Sequence, residues 1–187
     1  MNNTVSNNIY ELESMLSDSV PLFVTLTDRS LQLSDEGRYV KTLAGKYNAP
    51  RLICSVKGLP IEYVQNLYDQ IINMSFTHVV AIGGGSVMDA AKLIAIALSN
   101  RIKDLNAIIE TPNKYANNLK LIFCPTTCGT GSEVTPFSVV YKNNIKYSIV
   151  HDTINPGQVI LDYRFLKTLP DKVRNATLLD AIARDHR

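Results

Sequence analysis

Apolar residues fall in short runs divided by polar or glycine-containing stretches, and the runs alternate between two spacings. Residues 20–26 are β-branched and apolar and run out into Thr27-Asp28-Arg29-Ser30, which predicts a buried strand entering a polar loop. Residues 34–47 follow with Val40, Leu43, Ala44 and Tyr47 at helical spacing. The unit recurs: 51–56 is a second strand, and after Gly58-Leu59-Pro60 the segment 61–74 sets Val64, Leu67, Tyr68, Ile71 and Ile72 on one helical stripe. A third copy has a strand at 78–82, a tight turn at Gly83-Gly84-Gly85, and a helix over 86–100 with Val87, Ala90, Ala91, Ile94 and Leu98 as its apolar stripe. Three such units in succession predict an α/β fold, a Rossmann-like parallel sheet with helices on both faces.

Beyond residue 118 the rhythm changes. Residues 119–123 form another buried strand, followed by a hydroxyl-rich loop and two runs, 138–142 and 146–151, joined through Asn143-Asn144 as a β-hairpin. Residues 159–161 make a last short strand, and 171–187 open a helical pattern through Val173, Leu178, Leu179 and Ile182. The predicted organisation is one α/β domain over 1–170, with 171–187 starting a second, helical one.

With 187 residues, 45% of them hydrophobic, the chain can bury a core as a single domain. Its net charge of +2, from 19 basic and 17 acidic side chains without long runs of either sign, argues against nucleic-acid and membrane surfaces as partners. No apolar run approaches the roughly 20 residues of a spanning helix. The polar, Asn-rich residues 1–10 lack the pattern of a secretory signal, so the expected location is the cytoplasm. Cys54, Cys124 and Cys128 are then expected as reduced thiols. The spacing of Cys124 and Cys128 would suit a metal knuckle, but no second pair completes it; burial at a strand end is the alternative.

Two segments could carry chemistry. From His78 to Lys92 a strand, three glycines and a helix start succeed one another, and glycines there let backbone N–H groups and the helix dipole meet a phosphate. Ser86 and Asp89 have the spacing of a capping pair. The motif is neither G-x-G-x-x-G nor a Walker loop, and a purely structural turn stays open as an explanation. From Cys124 to Pro136, the side chains of Thr126, Thr127, Thr130, Ser132 and Thr135 crowd hydroxyls at a strand end, where open α/β sheets bind ligands. An ordinary solvated loop is the alternative.

In this order and separation the two segments resemble the iron-containing alcohol dehydrogenase family, whose fold is shared with dehydroquinate synthase and glycerol dehydrogenase. The resemblance runs from about residue 20 to 180, anchored on Gly83–Ser86 with Asp89 and Lys92, on 125–135, and on 156–161 followed by Asp162 and Leu169-Pro170. It implies an oxidoreductase that moves hydride between NAD or NADP and a small alcohol or aldehyde, with Fe(II) or zinc polarising the substrate oxygen. Carried over by position, Gly83, Gly84, Gly85 and Ser86, with Asp89 beside them, take the pyrophosphate. Thr126, Thr127, Thr130 and Ser132 line the adenosine and nicotinamide sites. Asp28 matches the position that faces the adenine ribose and favours NAD over NADP, unless it only caps its loop. Lys146 matches a lysine near the cofactor ribose, unless it is simply an exposed hairpin residue.

The family's metal ligands are one aspartate and three histidines, the first two spaced Asp-Ala-x-x-His. Asp180 matches the aspartate, but Arg184 stands at the first histidine, and a guanidinium does not coordinate a cation. His186 lies about 240° around the helix from Asp180 and cannot substitute, while His78 and His151 match no ligand position and read as strand residues. The other two histidines fall beyond residue 187, so the expectation is of a truncated chain with an incomplete metal site, an exposed apolar face and a tendency to self-associate. A homodimer is a further expectation. Residues 135–140 with Lys146-Tyr147-Ser148 resemble the phosphonoacetaldehyde reductase branch, for which Arg184 could contact the substrate anion. Gly58-Leu59-Pro60 departs from the family's usual Asn-Pro pair on the adenine side. The rival functions are a non-catalytic nucleotide-binding module and a metal-dependent lyase or synthase of the related fold.

Overall fold

The computed structural model describes residues 4–56 and 58–185. Six parallel strands form the central sheet: β1 (Thr4–Ser6), β2 (Pro21–Thr25), β3 (Arg51–Ile53), β4 (His78–Gly83), β5 (Lys120–Pro125) and β8 (Gln158–Ile160), ordered β1-β8-β5-β4-β2-β3. Every residue of β2 and β4 is buried, as strands covered on both faces require. Alternate side chains feed two cores. Leu22, Val24, Val79, Ala81, Leu121 and Phe123 meet α4 (Ile61–Asp69) and α5 (Gly85–Asn100). Phe23, Val80, Ile82, Ile122 and Cys124 meet α3 (Asp35–Lys46) and the short turns around α1 (Leu12–Met15).

Ser34 caps α3 by accepting the Gly37 N–H. The remaining short helices are α2 (Asp28–Leu31) and α6 (Asn106–Glu110). Helix α5 differs from its expected stripe: Val87, Met88 and every residue from Ala90 to Ala97 are buried. The sheet covers one side of it and a separate hairpin covers the other, so no face is left for water. That hairpin pairs β6 (Phe137–Lys142) with β7 (Ile145–Val150) through Asn143 and Asn144, both at positive φ, the two-residue turn whose twist matches its strands.

The polar, Asn-rich chain start is part of the fold. β1 pairs with β8, and Ile9, Leu12 and Leu16 are fully buried. Asp162, just after β8, fixes this segment: its carboxylate accepts the Ile9 N–H at 3.0 Å and the Arg164 guanidinium at 2.8 and 2.5 Å. Burial pushes the Asp162 carboxyl up, but Arg164 and the Ile9 and Arg164 N–H groups outweigh it and hold it below its ordinary value. The stabilisation is therefore complete above the unfolded value of about 3.9 and is lost as pH falls through the lower folded one. Asp162→Ala is expected to cost about 2 kcal/mol in urea unfolding at pH 7, a difference that shrinks on acidification. An unchanged midpoint would show that this clamp contributes nothing.

α7 (Asp171–Asp185) is helical as expected, and its apolar positions Val173, Leu178, Leu179 and Ile182 are exposed. Thr177, Asp180 and Ala181 are the residues that meet the loop after β5, at Gly129.

Candidate functional site

The glycine turn and the hydroxyl-rich loop form one surface at the C-terminal edge of the sheet. β4 ends at Gly83, whose carbonyl accepts the Thr126 N–H at 2.9 Å, so the loop after β5 starts by bonding to the turn after β4. A Cβ on Gly83 would stand 2.4 Å from the Val87 side chain. One on Gly84 would stand 3.1 Å from Thr127 Oγ1, and one on Gly85 would stand 3.0 Å from Thr130 Cγ2. Side chains here would fill the concavity that the bare backbone leaves.

Gly84, extended at φ −84°, is the N-cap of α5. The expected Ser86–Asp89 capping pair is therefore corrected: the helix starts at Gly85, placing Ser86 inside its first turn, and the Asp89 carboxylate instead accepts the Ser132 hydroxyl at 2.7 Å. The Val87 and Met88 N–H groups donate to Gly84 O, while Gly85 and Ser86, at the helix start, line the cleft.

Lys92 holds the loop in place. Its side chain is wholly buried, and its ammonium donates to Ser132 O (2.6 Å), Ser132 Oγ (3.1 Å), Thr135 O (2.8 Å) and Phe137 O (2.7 Å). Burial pushes the lysine down to about 8, with Asp89 and Glu133 opposing, so the ammonium is the form present at neutral pH. Ser138 Oγ adds a bond to the Asp89 carbonyl at 2.9 Å. In the sequence Lys92 marks only the family resemblance, with no role of its own. The overlooked signal is a lone cation inside an otherwise apolar helical run, Ala90 to Leu98.

These elements enclose a cleft of about 700 Å³, within the range of small-molecule sites. Gly85, Ser86, Asp89, Thr130 and Ser132 line one side. Strand alternation turns Phe137, Val139, Tyr141, Lys146 and Ser148 of the hairpin toward it, while Ser138, Val140 and Ile149 pack inward. Gly58 and Leu59 close the far end, where Leu59 O accepts the Tyr141 N–H at 2.8 Å. Gly83, Gly84, Thr126 and Thr127 adjoin this lining at the ends of β4 and β5. Thr126 is 2% exposed, and its Oγ1 has no hydrogen-bond partner.

Asp28 stands apart, beyond the end of β2. The loop-capping role belongs to its neighbour, since Thr27 Oγ1 accepts the Ser30 N–H. Asp28 is bonded to the Arg51 guanidinium, with Lys41 Nζ at 3.6 Å, and Arg51 chiefly holds its carboxyl below the ordinary value.

Asp180 reaches the cleft wall from α7. Among the described residues, no three His, Cys, Asp or Glu side chains come together to hold a metal, so this chain's own donors do not fit the metal of the resemblance. His78 begins β4, while His151 follows β7 and caps the next turn, one position outside the strand. The Arg184 side chain and His186 lie outside the described residues. Cys54 and Cys124 are buried free thiols pushed up by burial, Cys54 to about 11. Cys128 is half-buried, with Sγ 3.3 Å from Thr177 Oγ1. No helix among the described residues is long and apolar enough to cross a membrane.

A parallel sheet with a glycine turn, a helix N-terminus and a hydroxyl loop at its C-terminal edge is of the Rossmann-like α/β class. The family model for iron-containing alcohol dehydrogenase matches residues 4–163, and the chain belongs to that family. A 4-hydroxybutyrate dehydrogenase of Clostridium kluyveri is 34% identical over 123 residues, which are 65% of this chain and 32% of that protein. An NADPH-dependent butanol dehydrogenase of Clostridium saccharobutylicum is 36% identical over 108 residues, 56% of this chain and 28% of that one. In fold, the chain is similar to a sulfoacetaldehyde reductase of Bifidobacterium kashiwanohense solved with NAD+, with TM-score 0.80 and 24% identity over 95% of this chain and 49% of that one. The chain thus spans about half the length of that solved relative.

Proposed function

We propose that the cleft binds a nicotinamide dinucleotide and that the chain is the coenzyme-binding half of an oxidoreductase acting on a small alcohol or aldehyde. The observation that carries this is the Thr126–Gly83 hydrogen bond, which fuses the glycine turn and the hydroxyl loop into one concave anion cradle. The pyrophosphate lies on the bare backbone of Gly83, Gly84 and Gly85 and on the first-turn amide of Ser86, where donors and dipole face it without a desolvated charge. Thr126, Thr127, Thr130 and Ser132 supply neutral hydroxyls to ribose and carboxamide. Thr126 Oγ1, buried and unpartnered, gains an acceptor or donor there. Lys146 lies across the cleft, within reach of a ribose or an anionic substrate.

When bound, the nicotinamide supplies the hydride-carrying carbon. This chain orients that ring between loop and hairpin and keeps water from it with Phe137 and Val139. Asp180, on the cleft wall, stands at the family's metal-ligand position. Lys146 also supports a narrower reading, in which the aldehyde carries an anionic group, as phosphonoacetaldehyde does. The rival is a nucleotide-binding module without turnover.

The test is NADH titration by fluorescence on the 187-residue chain and on Gly84→Asp. Aspartate is a good N-cap, so the helix is retained while a carboxylate meets the pyrophosphate. Saturable binding that weakens at least about tenfold in the variant, the factor given by 1.4 kcal/mol, is expected. Equal affinity in both would remove the pyrophosphate from this turn. Turnover of short aldehydes separates the oxidoreductase from the module.

A further inference from the structure

We propose that Arg51 sets coenzyme selectivity in this chain: by engaging Asp28 at the end of β2, Arg51 and Lys41 create a subsite that accepts the 2′-phosphate of NADPH alongside the 2′-hydroxyl of NADH. The inference rests on the dinucleotide reading of the cleft.

β2 is the hydrogen-bonded neighbour of β4, in register from Pro21 opposite His78 to Thr25 opposite Ile82. The Leu26 N–H continues that pairing onto Ile82 O at 3.1 Å. A dinucleotide whose pyrophosphate rests on the turn after β4 brings its adenosine ribose to the end of such a neighbouring strand. A lone acidic residue there binds the 2′-hydroxyl and repels a 2′-phosphate.

Asp28 is not alone. Its Oδ1 accepts from the Arg51 guanidinium and lies 3.6 Å from Lys41 Nζ. Arg51 reaches it from the neighbouring edge strand β3, and a second bond, to Thr25 Oγ1 at 3.2 Å, fixes the guanidinium plane. Two cations around one carboxylate give this corner a charge of +1. Two of the five N–H donors of Arg51 are used toward Asp28 and Thr25, and a planar fork of this kind recognises phosphate well. The side chains of Asp28, Lys41 and Arg51 are 48%, 30% and 17% exposed, so an incoming ribose meets Asp28 and Lys41 first and the edge of the Arg51 guanidinium behind them.

The experiment is fluorescence titration of NADH and NADPH on the full chain, on Arg51→Met and on Lys41→Met, the last a change on the outer surface of α3 that leaves the sheet untouched. In the unmodified chain the two dissociation constants are expected within about tenfold of each other, where a lone carboxylate gives a much larger gap. Arg51→Met is expected to raise the NADPH constant at least about tenfold while moving the NADH constant less than about threefold, and Lys41→Met to shift the ratio the same way to a smaller degree. A chain that binds NADH but rejects NADPH overturns this inference and leaves the dinucleotide reading standing. So does an unchanged ratio in both variants. Failure to bind either coenzyme overturns that reading, and this inference with it.

Discussion

Lys92→Met is expected to weaken NADH binding by at least about tenfold and to cost about 3 kcal/mol of folding stability, because three loop carbonyls and Ser132 Oγ lose their shared donor. Methionine fills much of the same volume, so the loss reads the hydrogen bonds rather than a cavity. The residues released, 132–137, carry one wall of the cleft, so coenzyme affinity and stability fall together. Coenzyme titration and urea unfolding of the variant check both. A variant with native stability and native affinity would show that the loop holds its shape without the ammonium. pH offers a second view. The folded chain loses this proton near pH 8, and the four oxygens that share three N–H donors on the ammonium are left with two on the neutral amine. Affinity is expected to be flat below that pH and to fall as pH rises through it.

Gly129→Ala is expected to detach α7 from the coenzyme loop. Gly129 stands at φ +101°, and a Cβ there would lie 2.4 Å from Thr177 O and 2.9 Å from Ala181 N, both backbone atoms of α7. Left-handed backbone costs a non-glycine residue about 1–2 kcal/mol, and the collision adds about 1–3 kcal/mol more. With most of its residues exposed, the helix has little to set against that. Hydrogen exchange should show amide protection in 171–185 collapsing while β4 and β5 stay protected. Retained protection in α7 would mean that the helix tolerates the extra atom by shifting. Asp180 leaves the cleft wall with α7, so this variant also reports on what that carboxylate contributes there.

Elements buried on both faces were legible in the amino-acid order, since β2, β4 and β5 carry the apolar runs 22–24, 79–82 and 121–124 at their centres. β1 was not, because an edge strand with Val5 half in solvent needs no alternation to mark it. Ser86 and Asp89 misled for a local reason: their spacing suits a cap, yet Gly84 starts the helix earlier and Ser132 claims the carboxylate from 43 residues away. The two segments of the cleft were visible separately, and only folding shows them bonded through Gly83 and Thr126. The partners of Asp28 were hidden for the same reason, as Arg51 lies 23 residues further on.

The pairing of β1 with β8 imposes an order on biosynthesis. The Ile9 N–H waits for a carboxylate 153 residues downstream, and β1 has its partner strand only once residue 160 has been made. The neighbouring strands β2, β3 and β4 can come together well before that, so Ile9, Leu12 and Leu16 can join the cluster of Phe23, Val40 and Val80 while β1 still lacks its partner strand. Completion of the fold is thus a ring closure, made when the last strand reaches back to the first.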